Sequence, residues 1–320
     1  MSDRQRVSDD YPSSGQEGDV QVPGGVLHYR LAGRADAEHV VVFESGWSAS
    51  LAYSVWLEAA LAPHVRVLSY DRAGIGDSRS TAPLTPEGLT RQLTTLLSSL
   101  GIQQPVVLVG HSYGGLIAAL HAAQAPARVR AVVQIDPTSE FDHELIDPSF
   151  RILPWVGRFM QLCALLKIDG PIFFHTAEQL PPAVFARIKR TPGWLVRSLS
   201  GSIEEIRLIH GMRRNIAASG AATQCPRLVI SCAPEQLVDS WLRKLLVNDE
   251  KARKQWDAIH QLHQRQASLN AASRWMSLPY DHISLVTDRA SANEIASNIL
   301  DFIAIPAEKA ASVPPTGDIA

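Results

Sequence analysis

The chain has 320 residues, enough for one large domain carrying an insertion or for two modest domains. With 46% hydrophobic and 19% charged residues its composition is that of a globular protein, and a formal net charge of −2 gives no electrostatic reason to expect nucleic acid or an anionic membrane as an obligate partner. Cys163, Cys225 and Cys232 show neither metal-ligand spacing nor an even disulfide set, so no metal and a reduced, cytoplasmic setting are expected.

Met1 to Asp19 is polar, lacks the apolar core of a signal peptide, and is expected to be disordered. Val20–Val22 and Val26–Leu31 flank Pro23-Gly24-Gly25, a hairpin signal. A strand at Val40–Phe43, a helical pattern over Leu51–Leu61 and a strand at Val65–Tyr70 follow. Thr85-Pro86-Glu87 opens an amphipathic helix that runs to Leu100 and stops at Gly101. Val106–Val109 is the next strand, an apolar helix starts near Leu116 and continues through Ala123, and Val129–Ile135 is a sixth strand. Such alternation predicts βαβ units on a mostly parallel sheet, with the first hairpin as an antiparallel edge.

From Pro137 to Gln224 the alternation stops, and the chain becomes helix-like and rich in Pro and aromatic residues. It is read as a helical cap, 137–224, inserted after the sixth strand. Within it, Ile152 to Phe174 is the most apolar run, but Arg158, Lys167 and Asp169 interrupt it and argue against a membrane span. A buried lid helix is expected there, with interfacial contact as the alternative. The core pattern resumes with a strand at Arg227–Ser231, a helix around Asp249–Gln264, a strand at Arg274–Leu278 and a helix over Ser291–Ile303. The α/β core is therefore assigned to 20–136 and 225–305, and the proline-containing tail 306–320 is expected to be disordered.

Gly110-His111-Ser112-Tyr113-Gly114 lies where the β-branched strand Val106–Val109 meets the apolar helix. Gly-x-Ser-x-Gly in that context predicts a sharp turn that lifts Ser112 above the sheet, in front of unpaired helix N–H groups. A serine hydroxyl needs a base, and the base an orienting carboxylate, in the chain order Ser, acid, His. Of eleven histidines only His282 lies between the last predicted strand and the last predicted helix, and it is the expected base. His111 is packed into the turn itself, whereas His260 and His263 are read as surface residues of a helix. Asp136, at the end of the sixth strand, is preferred as the acid. Glu235, after the seventh strand, is the alternative, with Asp239 and Asp281 behind it. The backbone N–H of Tyr113 and that of Trp47, in the loop Glu44-Ser45-Gly46-Trp47-Ser48, are the expected oxyanion donors.

Together these residues resemble the α/β-hydrolase superfamily over about 25–305, the cap excepted. Tyr70-Asp71-Arg72-Ala73-Gly74-Ile75-Gly76-Asp77-Ser78 looks like the Asp-Arg-x-Gly-x-Gly-x-Ser loop of its cofactor-free members, where it shapes the pocket rim. The resemblance implies an eight-stranded, mostly parallel sheet with helices on both faces, a helical cap after strand six, and no cofactor. The chain departs from the usual pattern in two places. Ser45-Gly46, preceded by Glu44, stands where His-Gly is usual, and the Gly-x-x-Asp loop after strand seven is missing. The second departure leans toward a strand-six acid, as in some haloalkane dehalogenases, but Ser112 argues against dehalogenation and epoxide hydrolysis. The implied function is hydrolysis of a carboxylic ester, lactone or related acyl bond in an apolar small-molecule substrate. C–C hydrolysis, acyl transfer, perhydrolysis, cyclisation, or a non-catalytic ligand-binding role are the alternatives.

Overall fold

In the computed structural model the described residues are 14–142, 154–155, 157–159, 161–162, 179–184, 192–220, 224–233 and 249–304. Eight principal strands run β1 (Gly15–Val22), β2 (Gly25–Gly33), β3 (Val40–Glu44), β4 (Arg66–Tyr70), β5 (Val106–His111), β6 (Val129–Ile135), β7 (Arg227–Cys232) and β8 (Arg274–Leu278). They form one sheet in the order β1-β2-β4-β3-β5-β6-β7-β8, and a two-residue strand, Arg79–Ser80, adds to β2. β2 is antiparallel to both β1 and β4, while every pairing from β4 to β8 is parallel.

Period-two side-chain direction divides the core into two layers. Val41, Phe43, Val107, Val109, Val133 and Ile135 pack on one face against α1 (Val55–Leu61) and a C-terminal helix, Arg289–Ile303. Val40, Val42, Val106, Leu108 and Val132 pack on the other against α2 (Pro86–Ser99) and α3 (Tyr113–Gln124). The expected fold class, a mostly parallel sheet with helices on both faces, is the architecture found.

β1 begins at Gly15, not Val20, so 15–19 belongs to the sheet and not to a disordered segment. Hydropathy does not reveal it because polar cross-strand pairs line this edge: Glu17 with Arg30, and Asp19 with His28 Nδ1 at 2.8 Å. Residues 1–13 and 305–320 lie outside the described set.

Within 137–224 the longest described element is α4 (Pro192–Ser219). Ile206, Ile209, Met212 and Ile216 on α4 bury against Leu116, Ile117 and Leu120 of α3. Further upstream, Trp155, Phe159 and Leu162 are 71%, 65% and 53% exposed, not buried as expected. Helical spacing puts these three on one side, while the small Gly157 takes the packed side against Ile203. No helix among the described residues is long and apolar enough to cross a membrane.

Candidate active site

The turn from β5 into α3 is held by close backbone approach. A Cβ on Gly110 would overlap the Gly114 carbonyl, and one on Gly114 would overlap the Glu44 carbonyl. Between them Ser112 has φ 54° and ψ −120°, a strained conformation for a residue with a side chain. Neighbouring hydrogen bonds over-determine it: Ser112 N–H donates to Ile135 O at 2.9 Å, and its carbonyl accepts from Gly115 N and Thr138 N. Among the described residues, the three non-glycine positions with positive φ are Ser48, Ser112 and Asp136. All three lie at the carboxyl ends of β3, β5 and β6, around the same point.

Asp136 follows β6 directly and is brought to His282, with Oδ2 2.5 Å from Nδ1. Its Oδ1 accepts from Cys232 N at 3.1 Å. Burial alone would raise the Asp136 carboxyl, but the His282 hydrogen bond and charge outweigh it and hold the group below the usual carboxylate range. Burial would likewise lower the His282 imidazole, and the bond and charge of Asp136 raise it instead. Asp281 serves the following turn, where Oδ1 accepts from Ile283 N and Ser284 N at 2.9 Å each. Glu235 and Asp239 lie outside the described residues.

His111, adjacent to Ser112, reaches the His282 loop from the other side: its Nε2 is 2.8 Å from the His282 carbonyl. Burial first, and then the neighbouring His282, push the His111 pKa down to about 3, so it is neutral and donates from Nε2. His111 therefore ties the His282 loop to the Ser112 turn, a role that its position in Gly-His-Ser does not disclose.

His260 and His263 are buried, contrary to the surface reading. They belong to α5 (Asp249–Ser268), where the neutral imidazole can be satisfied inside the protein because one nitrogen donates and the other accepts. His263 donates from Nε2 to Pro137 O at 2.9 Å and accepts at Nδ1 from Ser231 Oγ at 2.8 Å. His260 Nε2 reaches Cys232 O at 2.9 Å. Both rings thus brace the end of β6, which carries Asp136, and the end of β7, whose Cys232 N–H donates to it.

The loop after β3 passes over the elbow, where a Cβ on Gly46 would lie 3.6 Å from Ser112 Cβ. Arg72 holds this loop from behind, donating from Nη1 to Ser45 O at 2.6 Å and from Nη2 to Gly46 O at 2.8 Å. The Tyr113 N–H is among those at a helix start with no intrahelical acceptor. Among the described residues, no group of three or more His, Cys, Asp or Glu side chains is arranged to hold a metal ion.

Residues 39–168 match the family described as "alpha/beta hydrolase fold". Over 225 residues the chain is 31% identical to "Putative carbamate hydrolase RutD" of Agrobacterium fabrum, covering 66% of this chain and 81% of that protein. The chain belongs to the α/β-hydrolase family. This α/β-hydrolase also shares 34% identity over 98 residues with "Uncharacterized protein YqjL" of Bacillus subtilis, a match spanning 30% of the chain and only 39% of that relative. Among solved structures it is similar in fold to the enol-lactonase from Burkholderia xenovorans LB400, with TM-score 0.59 and 22% identity over 90% of this chain and all of that one.

Proposed function

We propose that this α/β-hydrolase is a serine hydrolase acting on carboxylic esters, lactones or related acyl compounds through Ser112, His282 and Asp136. The observation that carries the reading is the 2.5 Å contact between His282 Nδ1 and Asp136 Oδ2, beside the strained Ser112 elbow. With Nδ1–H donated to Asp136, the other imidazole nitrogen, Nε2, is left as the base. It takes the Ser112 proton as Oγ bonds to the acyl carbon, and the carbonyl oxygen becomes an oxyanion held by the N–H groups of Trp47 and Tyr113. Collapse breaks the bond to the leaving alcohol, which receives the proton from His282. Water then adds to the acyl-enzyme by the same route and releases the acid and Ser112. No cofactor is required by these steps. The names of the two relatives with stated activities, a carbamate hydrolase and an enol-lactonase, belong to the same broad chemistry of acyl-bond cleavage.

An apolar substrate is favoured by the aromatic-rich 137–224 stretch, which we take as the lid over the acyl pocket. A cytoplasmic setting is favoured by the buried free thiols Cys225 and Cys232.

Release of p-nitrophenol from acetate through octanoate esters tests the proposal. The wild type should turn over with a chain-length optimum, and Ser112→Ala should fall to the uncatalysed background while melting within a few degrees of wild type. Turnover retained in Ser112→Ala would mean that the nucleophile is elsewhere. A folded wild type inert across the series would point to one of the alternative uses of the site.

A further inference from the structure

One turn of α4 holds both halves of the proposed oxyanion hole. Trp47 Nε1–H donates to Ser202 O at 2.8 Å, and Tyr113 O–H donates to Glu205 O at 2.7 Å. The Glu205 carboxylate accepts from Arg72 Nε at 2.6 Å and faces the Ser48 N–H at 3.5 Å. Arg72 and Glu205 are 2% and 0% exposed, so this pair is shielded from solvent and its geometry is strict.

The direction of the Trp47 N–H follows from peptide geometry. Gly46 C=O and Trp47 N–H belong to one planar trans peptide and point in opposite directions. Fixing Gly46 O on Arg72 therefore aims the Trp47 N–H away from Arg72. Ser45 O, on the same guanidinium, fixes the preceding peptide as well. Glu205 takes the Nε edge of Arg72 at 2.6 Å, whereas Glu44 Oε2 is farther off at 3.7 Å, so the carboxylate on α4 is the closest one that fixes the orientation of the fork that sets the loop.

The rest of this turn is built for close docking. Ser198 Oγ accepts from Gly76 N at 3.0 Å, and a Cβ on Gly201 would come within 2.6 Å of Gly74 O. Ser198, Ser202 and Glu205 continue the buried stripe occupied further along by Ile209, Met212 and Ile216. Polar residues placed on the core-facing side of a helix cost stability unless they are satisfied. Here Ser198 meets Gly76 N, Ser202 Oγ donates back to Ser198 O within the helix, and Glu205 meets Arg72 and the Ser48 N–H beside Trp47.

We propose that the Ser202–Glu205 turn of α4 positions the oxyanion hole, with Glu205 acting through Arg72 to aim the Trp47 N–H. Glu205 is a positioning residue: it touches neither substrate nor Ser112. The inference rests on the serine-hydrolase reading above. It makes the insert between β6 and β7 part of the electrostatic machinery and not only a cover over it.

The test compares wild type, Glu205→Gln, Tyr113→Phe and Gly201→Ala with a p-nitrophenyl ester, after counting competent sites by stoichiometric labelling with a fluorophosphonate. Tyr113→Phe loses a single hydrogen bond, and Gly201→Ala pushes α4 off Gly74 without removing any polar group. These two keep the test decisive if Glu205→Gln, which leaves Arg72 poorly compensated, does not fold. Per labelled site, kcat should fall about 100-fold in Glu205→Gln, the scale of one lost oxyanion donor, with KM within about threefold. Tyr113→Phe and Gly201→Ala should fall in the same direction by smaller factors. The acid limb of the kcat profile, set by His282 and Asp136, should stay in place. Unchanged kcat per labelled site, with only fewer sites or a lower Tm, would overturn the proposal and leave α4 a structural element. A wild type that neither turns over nor takes the label would overturn the serine-hydrolase reading instead.

Discussion

Asp136 carries a negative charge at 8% side-chain exposure, in a backbone conformation with φ 43° that a non-glycine residue seldom adopts. Such a charge persists only where bonds to the ionised form exceed the desolvation cost, and the contacts to His282 and Cys232 N supply them. Asp136→Asn keeps the shape but can place an amide N–H against Nδ1, which favours the wrong imidazole tautomer. Its kcat is expected to drop on the order of 10⁴ with little change in KM. The pH profile supplies the sign. A base must be neutral, so activity fails as pH falls through the raised pKa of His282. Without the Asp136 charge that limb should move to lower pH. A limb that stays in place, or a loss below tenfold, would mean that another carboxylate orients His282.

At the scale of elements, the site depends on how closely backbones approach at the carboxyl edge of the sheet. Gly114 is the tightest position, because the atoms a side chain would meet are the backbone of Glu44 and Ser45, which have no flexible end to swing away. Gly114→Ala must drive α3 from the β3 loop, at a cost of about 3 kcal/mol, the upper part of the usual overpacking range. Thermal melting should fall by several degrees, and kcat should fall further than the loss of folded protein explains. An unchanged Tm would show that the elbow relaxes freely. Sequence discloses this element well, since Gly-x-Ser-x-Gly between a β-branched run and an apolar helix has a single geometric solution. It discloses much less of what holds the neighbouring parts. Arg72 and Glu205 are 133 residues apart, and nothing local in either segment announces the pair. His260 and His263 read as surface residues because imidazole is polar, while their burial depends on acceptors that β6 and β7 bring from elsewhere. The available signal was a polar residue on the apolar stripe of a helix, which marks a buried partner without naming it.

For the whole molecule, the central parallel strands β3 and β5 are legible because they are buried on both faces and read as continuous apolar runs, whereas the edge strand β1 is polar and its first residues give no hydrophobic signal. The same contrast between a dry centre and a charged edge shapes the pH dependence of stability. His111 lies at the centre, and burial depresses its pKa from 6.5 to about 3. Its neutral form contributes stability that is complete above the unfolded value of 6.5 and is lost as pH falls toward 3. His28 lies at the β1–β2 edge, where burial works against the charge but Glu17 and Asp19 raise its pKa to about 9. Its protonated form contributes stability that is complete below 6.5 and is lost as pH rises through 9. His111→Gln, whose amide can still donate to the His282 carbonyl, should therefore narrow the Tm gap to wild type by several degrees as pH falls from neutral to about 4.5. His28→Gln should narrow its gap on the opposite side, as pH rises from 6.5 to 9. Differences from wild type isolate the two groups, because every other titration is common to both proteins. Tm curves that run parallel to wild type over those windows would show that neither histidine governs the limb assigned to it.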